Sequence, residues 1–278
     1  MRLIDSHGHL NADRFDDDLD RVLDDARTAG LERILVPGWN VRSSERALEV
    51  IADHPWLDAA VGIHPHDAAK VDGAGWAAIE AWASDERVVA IGETGLDSDR
   101  MFSPWDAQLE NLRRNLALAL ATGKPAILHC RSRIGERDAQ DALVAELRAA
   151  GFDGEPAHAA FGDRPPAVVH SFSGPVDYAR QVLTMGLAVS FSGLVFRRGE
   201  ESSADVAPLV PAARLLVETD SPFLSPPGGP RGRNTPEFVR ITAAWVVGRR
   251  GVGEDQLDSF GDALVAAYDR AFPRTPTR

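Results

Sequence analysis

The sequence predicts an α/β fold: eight parallel strands closed into a (β/α)8 barrel of the TIM type, as one domain over residues 1–278. Three observations predict it. Short apolar runs alternate with amphipathic helical stretches eight times, the rhythm of a parallel sheet with crossover helices. No shift of composition and no internal repeat divides the chain. Polar, chemistry-bearing residues gather at the carboxyl ends of the apolar runs, where such barrels carry their sites. A doubly wound open sheet is the other arrangement that this alternation allows.

The first strand is expected at residues 3–5 and the second at 33–36. Runs at 59–62, 88–91, 126–129, 167–170, 187–190 and 215–218 supply six more. Strands buried on both faces read as such near-continuous apolar runs. Helices are expected at 13–29, 43–53, 104–122, 138–150, 175–185, 237–249 and 255–271. Pro104 and Pro175 stand where helices begin, and Gly30, Gly123 and Gly151 where they end. Residues 152–166 are rich in Gly, Pro and Ala and read as an irregular surface excursion, with His158 a loop histidine.

The chain is 44% hydrophobic and 26% charged, an ordinary globular composition. A net charge of −12 supplies no global basic field for nucleic acid or an anionic membrane. Cys130 is the single cysteine, so no intrachain disulfide forms, which suits a reducing compartment. The first residues lack a charged segment followed by a long apolar one, and no apolar run reaches membrane-spanning length. A soluble cytoplasmic protein is expected, with no membrane and no obligate protein partner.

Asp5, His7 and His9 follow the first strand at a spacing of two. Alternation along an extended chain sends all three to one side. The third strand ends in Gly62-Ile63-His64-Pro65-His66, and the fourth in Gly92-Glu93-Thr94-Gly95-Leu96-Asp97. The fifth ends in His129-Cys130-Arg131, the sixth in His170-Ser171-Phe172, and the eighth in Glu218-Thr219-Asp220. Six of the eight histidines thus fall at four strand ends; His54 and His158 lie elsewhere. Imidazole and carboxylate donors without thiolate suit Mg, Mn, Zn or Co and do not choose among them. The donors exceed what one ion needs, so two divalent cations per chain sharing a bridging carboxylate are expected.

These blocks resemble, in order and over nearly the whole chain, the TatD family of metal-dependent deoxyribonucleases. Leu3-Ile4-Asp5-Ser6-His7-Gly8-His9-Leu10-Asn11 is similar to its opening signature. Leu215–Pro222 is similar to its closing block, and Arg231-Gly232-Arg233-Asn234-Thr235-Pro236 to its Arg-Gly…Asn-x-Pro segment. The resemblance implies a metal-dependent hydrolase that cleaves phosphodiester bonds of DNA, as a 3′→5′ exonuclease on single strands. It implies that His7, His9 and Asp220 hold one metal, that His129 and His170 hold the other, and that Glu93 bridges them. It places His64 near the scissile phosphate and lets Asp220 take a proton from the attacking water. Glu93, His64 and Asp220 are therefore the expected catalytic residues. The alternatives are a metal-dependent esterase or amidohydrolase, for example one deacylating D-aminoacyl-tRNA, and a metal-binding barrel without turnover.

The sequence departs from the family pattern where substrate would be read. Ser98-Asp99 follows Asp97 in place of an aromatic residue, Ser132-Arg133 follows Arg131 in place of Asp-Ala, and 152–166 is long. Arg131, Arg133, Arg197, Arg198, Arg231 and Arg233 recur after strands five, seven and eight, and guanidinium groups suit phosphate. His66, Arg131, Arg231, Arg233 and Asn234 are the expected substrate contacts. Trp39, Phe191 and Phe196 are candidates for base stacking. Asp5 is expected to support a ligand rather than to be one, whereas Asp97 reads equally as such a support or as a chain cap. The aspartates at 16–18, 20, 24 and 25 are expected far from the strand ends.

Overall fold

The structure, a computed structural model, describes residues 1–274. Eight parallel strands follow one another in chain order around the sheet. They are β1 (Leu3–Asp5), β2 (Leu31–Pro37), β3 (Leu57–Val61), β4 (Val88–Asp97), β5 (Ala126–Arg131), β6 (Ala167–Val169), β7 (Ala188–Phe191) and β8 (Leu215–Val217). Ser6 N donates to the Val217 carbonyl (3.0 Å), and Gly8 bridges Ser221 in parallel, which joins the last strand to the first. The expected (β/α)8 barrel is therefore the observed one. Ile4, Ile34, Ala60, Ile91, Leu128, Val189 and Leu216 are all fully buried within it.

Helices α1 (Leu19–Thr28), α2 (Val41–Ala52), α3 (Gly73–Ala83), α4 (Trp105–Thr122) and α5 (Asp138–Ala149) cover the first five strands. Then come α6 (Glu155–Phe161), α7 (Val176–Thr184), the short α8 (Ser203–Val206), α9 (Val239–Arg250) and α10 (Leu257–Ala271). Among the described residues, no helix is long and apolar enough to cross a membrane. Local chemistry sets several boundaries. At α2, the Asn40 side chain accepts from Ser43 N (2.9 Å) and Ser43 Oγ accepts from Asn40 N (2.8 Å), a reciprocal cap.

Three expectations change. The first helix is interrupted: a 3-10 turn over Asp13–Phe15 precedes α1. Helix α3 fills the gap between the third and fourth runs, where the sequence sets no bounds for a helix; Gly73 and Gly75 open it, and the Asp72 cap on Gly75 N (2.8 Å) and burial of Trp76, Ile79 and Ala83 form it nevertheless. Residues 152–166 are not irregular throughout. They contain α6, with Pro156 in its first turn where a missing N–H costs nothing, Ala157 and Phe161 buried, and His158 exposed on the helix.

The third change positions the site. Strand β4 continues to Asp97, six residues beyond the apolar run, and pairs Gly95 with His129 and Asp97 with Arg131. Gly95 sits at φ 141°, and a Cβ there would lie 1.9 Å from the His129 carbonyl oxygen. Only glycine lets the two backbones run this close. The continuation carries Glu93 and Asp97 to the side of His129.

Candidate metal centre

At the carboxyl ends of the strands a cavity of about 590 Å³ opens over a buried cluster of imidazoles and carboxylates. Glu93 is at its centre. Its Oε2 faces His7 Nε2 (3.3 Å) and His9 Nε2 (3.5 Å). Its Oε1 faces His170 Nε2 (2.8 Å), His64 Nε2 (3.2 Å) and His129 Nδ1 (3.3 Å). Asp220 Oδ1 closes the first group, 3.4 Å from His9 Nε2 and 3.7 Å from His7 Nε2. All six residues expected as ligands therefore meet at one place, and His64 joins them.

Carboxylates behind the cluster fix which ring nitrogen is free. Asp97 Oδ2 lies 3.2 Å from His129 Nε2 and 2.8 Å from His66 Nε2. A proton held between His129 Nε2 and Asp97 leaves the Nδ1 lone pair facing Glu93. Glu218 Oε1 likewise lies 3.3 Å from His170 Nδ1 and accepts from Ser171 N (2.5 Å) and Ser171 Oγ (2.9 Å). That proton leaves the His170 Nε2 lone pair facing Glu93. His64 is oriented differently: its Nδ1 accepts from His66 N (3.1 Å), so the neutral ring carries its proton on Nε2, which faces Glu93 Oε1 (3.2 Å).

Asp97 also accepts from Asp99 N (3.0 Å) and Arg100 N (2.8 Å), so it both caps the chain and supports a ligand. Asp5 supports without reaching the cluster: it accepts from His7 N (3.2 Å), Thr219 N (2.9 Å) and Thr219 Oγ1 (2.5 Å). Glu218 stood at a strand end without an assigned role. Its signal was its place one residue beyond an apolar run, pointing to the interior by alternation.

The electrostatics of the cluster favour positive charge between its rings and Glu93. Burial alone would raise the Glu93 carboxyl, but His64, His170 and His7 hold it well below the usual range. Burial alone would lower the His170 imidazole, but Glu93 and Glu218 hold it well above its ordinary value. Burial wins at His64, whose imidazole is pushed down to about 4. His7 Nδ1, His9 Nδ1 and His170 Nε2 are buried without a hydrogen-bond partner. A lone pair facing a carboxylate oxygen at 2.8 Å needs positive charge between the two, as a proton or as a metal ion. A tetrahedral ion with bonds near ~2.1 Å separates its donors by about 3.4 Å. The spacings around Glu93 match that, so the residues fit divalent cations. Asp220 and Ser171 have φ of 54° and 41°, left-handed backbone that non-glycine residues adopt where surrounding bonds impose it. Asp220 N is tied to the His7 carbonyl (2.8 Å) and Ser171 N to Glu218.

A family model described as TatD related DNase matches residues 4–268. The chain belongs to the TatD family. It is accordingly a metal-dependent hydrolase. It is 36% identical over 241 residues to a metal-dependent hydrolase, YabD, of Bacillus subtilis, covering 87% of this chain and 88% of that one. It is 34% identical over 262 residues to the 3′-5′ ssDNA/RNA exonuclease TatD of Erwinia billingiae, covering 92% and 94%. The solved structure of the TatD homologue YjjV of Escherichia coli superposes with a TM-score of 0.82 at 27% identity, over 98% of both chains.

The expected TatD-type substrate contacts divide at the rim. His66 and Arg131 line the cavity, and Arg131 Nε pairs with Asp99 (2.9 Å), one of the departing positions. Arg231, Arg233 and Asn234 are not brought to it. Arg231 is exposed on the loop outside. Arg233 pairs with both Asp18 oxygens (2.7 Å each) and lies over the Phe15 ring, so the acidic first segment reaches this end of the barrel after all. Asn234 is fully buried and donates to the Thr219 carbonyl (3.0 Å). Phe191 is fully buried, and Phe196 packs on Trp245. Trp39 does line the cavity, edge-on to His9. Sequence reasoning missed Arg14, Lys70, Arg100, Phe102 and Phe223, which also line it. Phe102 and Phe223 are 61% and 53% exposed, with nothing in their own strand ends to mark them.

Proposed function

We propose that this protein is a 3′→5′ exonuclease that trims single-stranded DNA with two divalent cations. The observation that carries the reading is Glu93: its two oxygens face two separate groups of imidazoles, as a bridging carboxylate requires. His7, His9 and Asp220 would hold one cation and His129 and His170 the other. Bound there, the cations would supply Lewis acidity toward the phosphoryl oxygens and lower the pKa of water. His64, neutral near pH 7 and protonated on Nε2, donates to a non-bridging phosphate oxygen. Asp220, at the cavity surface, accepts the proton of the attacking water. Arg14, Arg100 and Arg131 surround the opening and hold the phosphates on either side of the scissile bond. Phe102 and Phe223 offer open ring faces to unpaired bases, which a duplex would keep stacked on one another. Cytoplasmic residence belongs to the same proposal, supported by the lone, buried cysteine.

The test is digestion of single-stranded DNA labelled at its 5′ end, with Mg²⁺ or Mn²⁺, beside Glu93→Ala and a chelated control. The proposal expects a ladder that shortens from the 3′ end and that is absent in both controls. Digestion by the folded Glu93→Ala variant would overturn the two-cation reading. Failure of the unaltered protein with every metal would move the substrate to another ester or amide.

A further inference from the structure

A second cavity, of about 320 Å³, lies at the opposite end of the barrel, among the segments that lead into β6, β7 and β8. Its walls come from α6 and its flanks, from Thr184–Gly186, from Ala213-Arg214 and from the last turn of α10. Three guanidinium groups border it: Arg164, Arg214 and Arg270. Each is steadied by a backbone carbonyl. Arg164 Nη2 donates to Gly123 (3.1 Å), Arg214 Nη1 to Leu183 (2.6 Å) and Arg270 Nη2 to Asp163. None of the three forms an ion pair among the described residues. Elsewhere on this acidic chain, exposed arginines such as Arg113, Arg114 and Arg137 have found carboxylates at 2.7 Å.

Arg164 Nη1 is buried and has no acceptor. Burial lowers the pKa of both Arg164 and Arg214, and Arg270 adds its like charge at Arg214. A buried cationic donor with nothing to bind costs free energy, and the carbonyl bonds hold the groups in place rather than neutralise them. Asp153 and Asp163 also border the cavity, but Asp153 faces Arg148 (3.8 Å) and Asp163 offers Arg270 its carbonyl. The cations remain in excess.

We propose that this cavity binds a phosphate-bearing small anion, a phosphomonoester of mononucleotide size or smaller, at a site separate from the catalytic end. Planar guanidinium forks match phosphate oxygens two at a time. The volume is at the lower end of the ~300–1,000 Å³ typical of small-molecule sites, enough for a phosphate and a compact ring but not for a strand. Phe152, Ala157, Pro166 and Met185 form the apolar wall against which such a ring rests.

The experiment is calorimetric titration of the full chain, freed of metal with EDTA, using inorganic phosphate, deoxyadenosine monophosphate and deoxyadenosine. The proposal expects saturable binding of the two phosphates, competition between them, and none of the uncharged nucleoside. Tighter binding of the nucleotide would assign the ring wall a role; equal binding would make inorganic phosphate the occupant. Arg214→Gln and Arg270→Gln should each weaken binding roughly tenfold or more, the loss of one charge-assisted contact. Arg100→Gln, at the other end, should leave it unchanged. Should Arg214→Gln melt early, Arg270→Gln on the exposed face of α10 carries the test. Binding that both variants retain at full strength, or that Arg100→Gln removes, would overturn the proposal, as would no binding at millimolar phosphate.

Discussion

The floor of the cavity at the carboxyl ends of the strands and its rim obey different rules. On the floor, every ligand candidate sits on a strand or within a few residues of its end, and the barrel fixes where those ends go. His7 and His9 leave β1, Glu93 belongs to β4, His129 to β5, His170 follows β6 and Asp220 follows β8. The convergence of the histidines on Glu93, and of Asp220 on His7 and His9, is a property of strand register. On the rim, side chains answer to partners that no register dictates. Arg233 turns to Asp18, 215 residues away, and Asn234 turns inward to Thr219. Equal chemistry in the sequence thus ends in unequal places.

The comparison is sharpened first on the floor, where effects should be largest. Glu93→Ala removes the one group common to both sides of the cluster, and the rate of DNA hydrolysis should fall by about a thousandfold or more. Circular dichroism should show the barrel intact. One step back, Asp97→Asn and Glu218→Gln each remove the carboxylate that sets a histidine tautomer. Losses of such partners typically cost about 10–100-fold in metal affinity. A titration with Mn²⁺ or Co²⁺ should show that penalty on the His129/His170 side and leave the His7/His9 side near its original strength. Equal weakening of both would mean that the carboxylates act through the whole barrel rather than through one ring each.

How much of this was legible in the sequence follows the same division. The apolar runs gave eight strands in the right order, because parallel strands buried on both faces leave a strong one-dimensional trace. The histidines at their ends gave the floor. What escaped was set by contacts across the chain or by exceptions to propensity. Helix α3 opens on two glycines and is held by its cap and by burial of Trp76. The extension of β4 depends on Gly95 lying against the His129 carbonyl, a backbone approach that no local pattern announces. The tautomers of His129 and His170 depend on Asp97 and Glu218, and only the assembled barrel shows which ring each carboxylate meets.

Effects at the rim should be smaller and should appear in KM rather than in kcat. Phe102→Ala and Phe223→Ala each remove an exposed ring beside the cluster, at 4.7 Å from His66 and 5.9 Å from His9. Base stacking is worth ~1–3 kcal/mol, so KM for single-stranded DNA should rise by about fivefold or more with kcat little changed. A drop in kcat alone would show that these rings pack the histidines instead of holding bases.

The smallest catalytic effect should come from Arg233→Gln, and it separates floor-like from rim-like reasoning most directly. Its place among the arginines of the loop after the eighth strand set Arg233 among the substrate contacts; the structure commits both its terminal nitrogens to Asp18. KM and kcat should therefore match those of the unaltered protein, and the variant should show itself in stability and only above acid pH. The Arg233 guanidinium holds the Asp18 carboxyl down, to about 2 from an ordinary 3.8. A carboxylate whose folded pKa is depressed stabilises the fold above its unfolded pKa, and that contribution fades as pH falls from about 4 toward 2. Melting curves of the two proteins should thus differ at pH 6 and approach each other near pH 2, by a margin that salt reduces because the pair is partly exposed. A raised KM at pH 7 with no change in melting would return Arg233 to the substrate and erase the line drawn here between floor and rim.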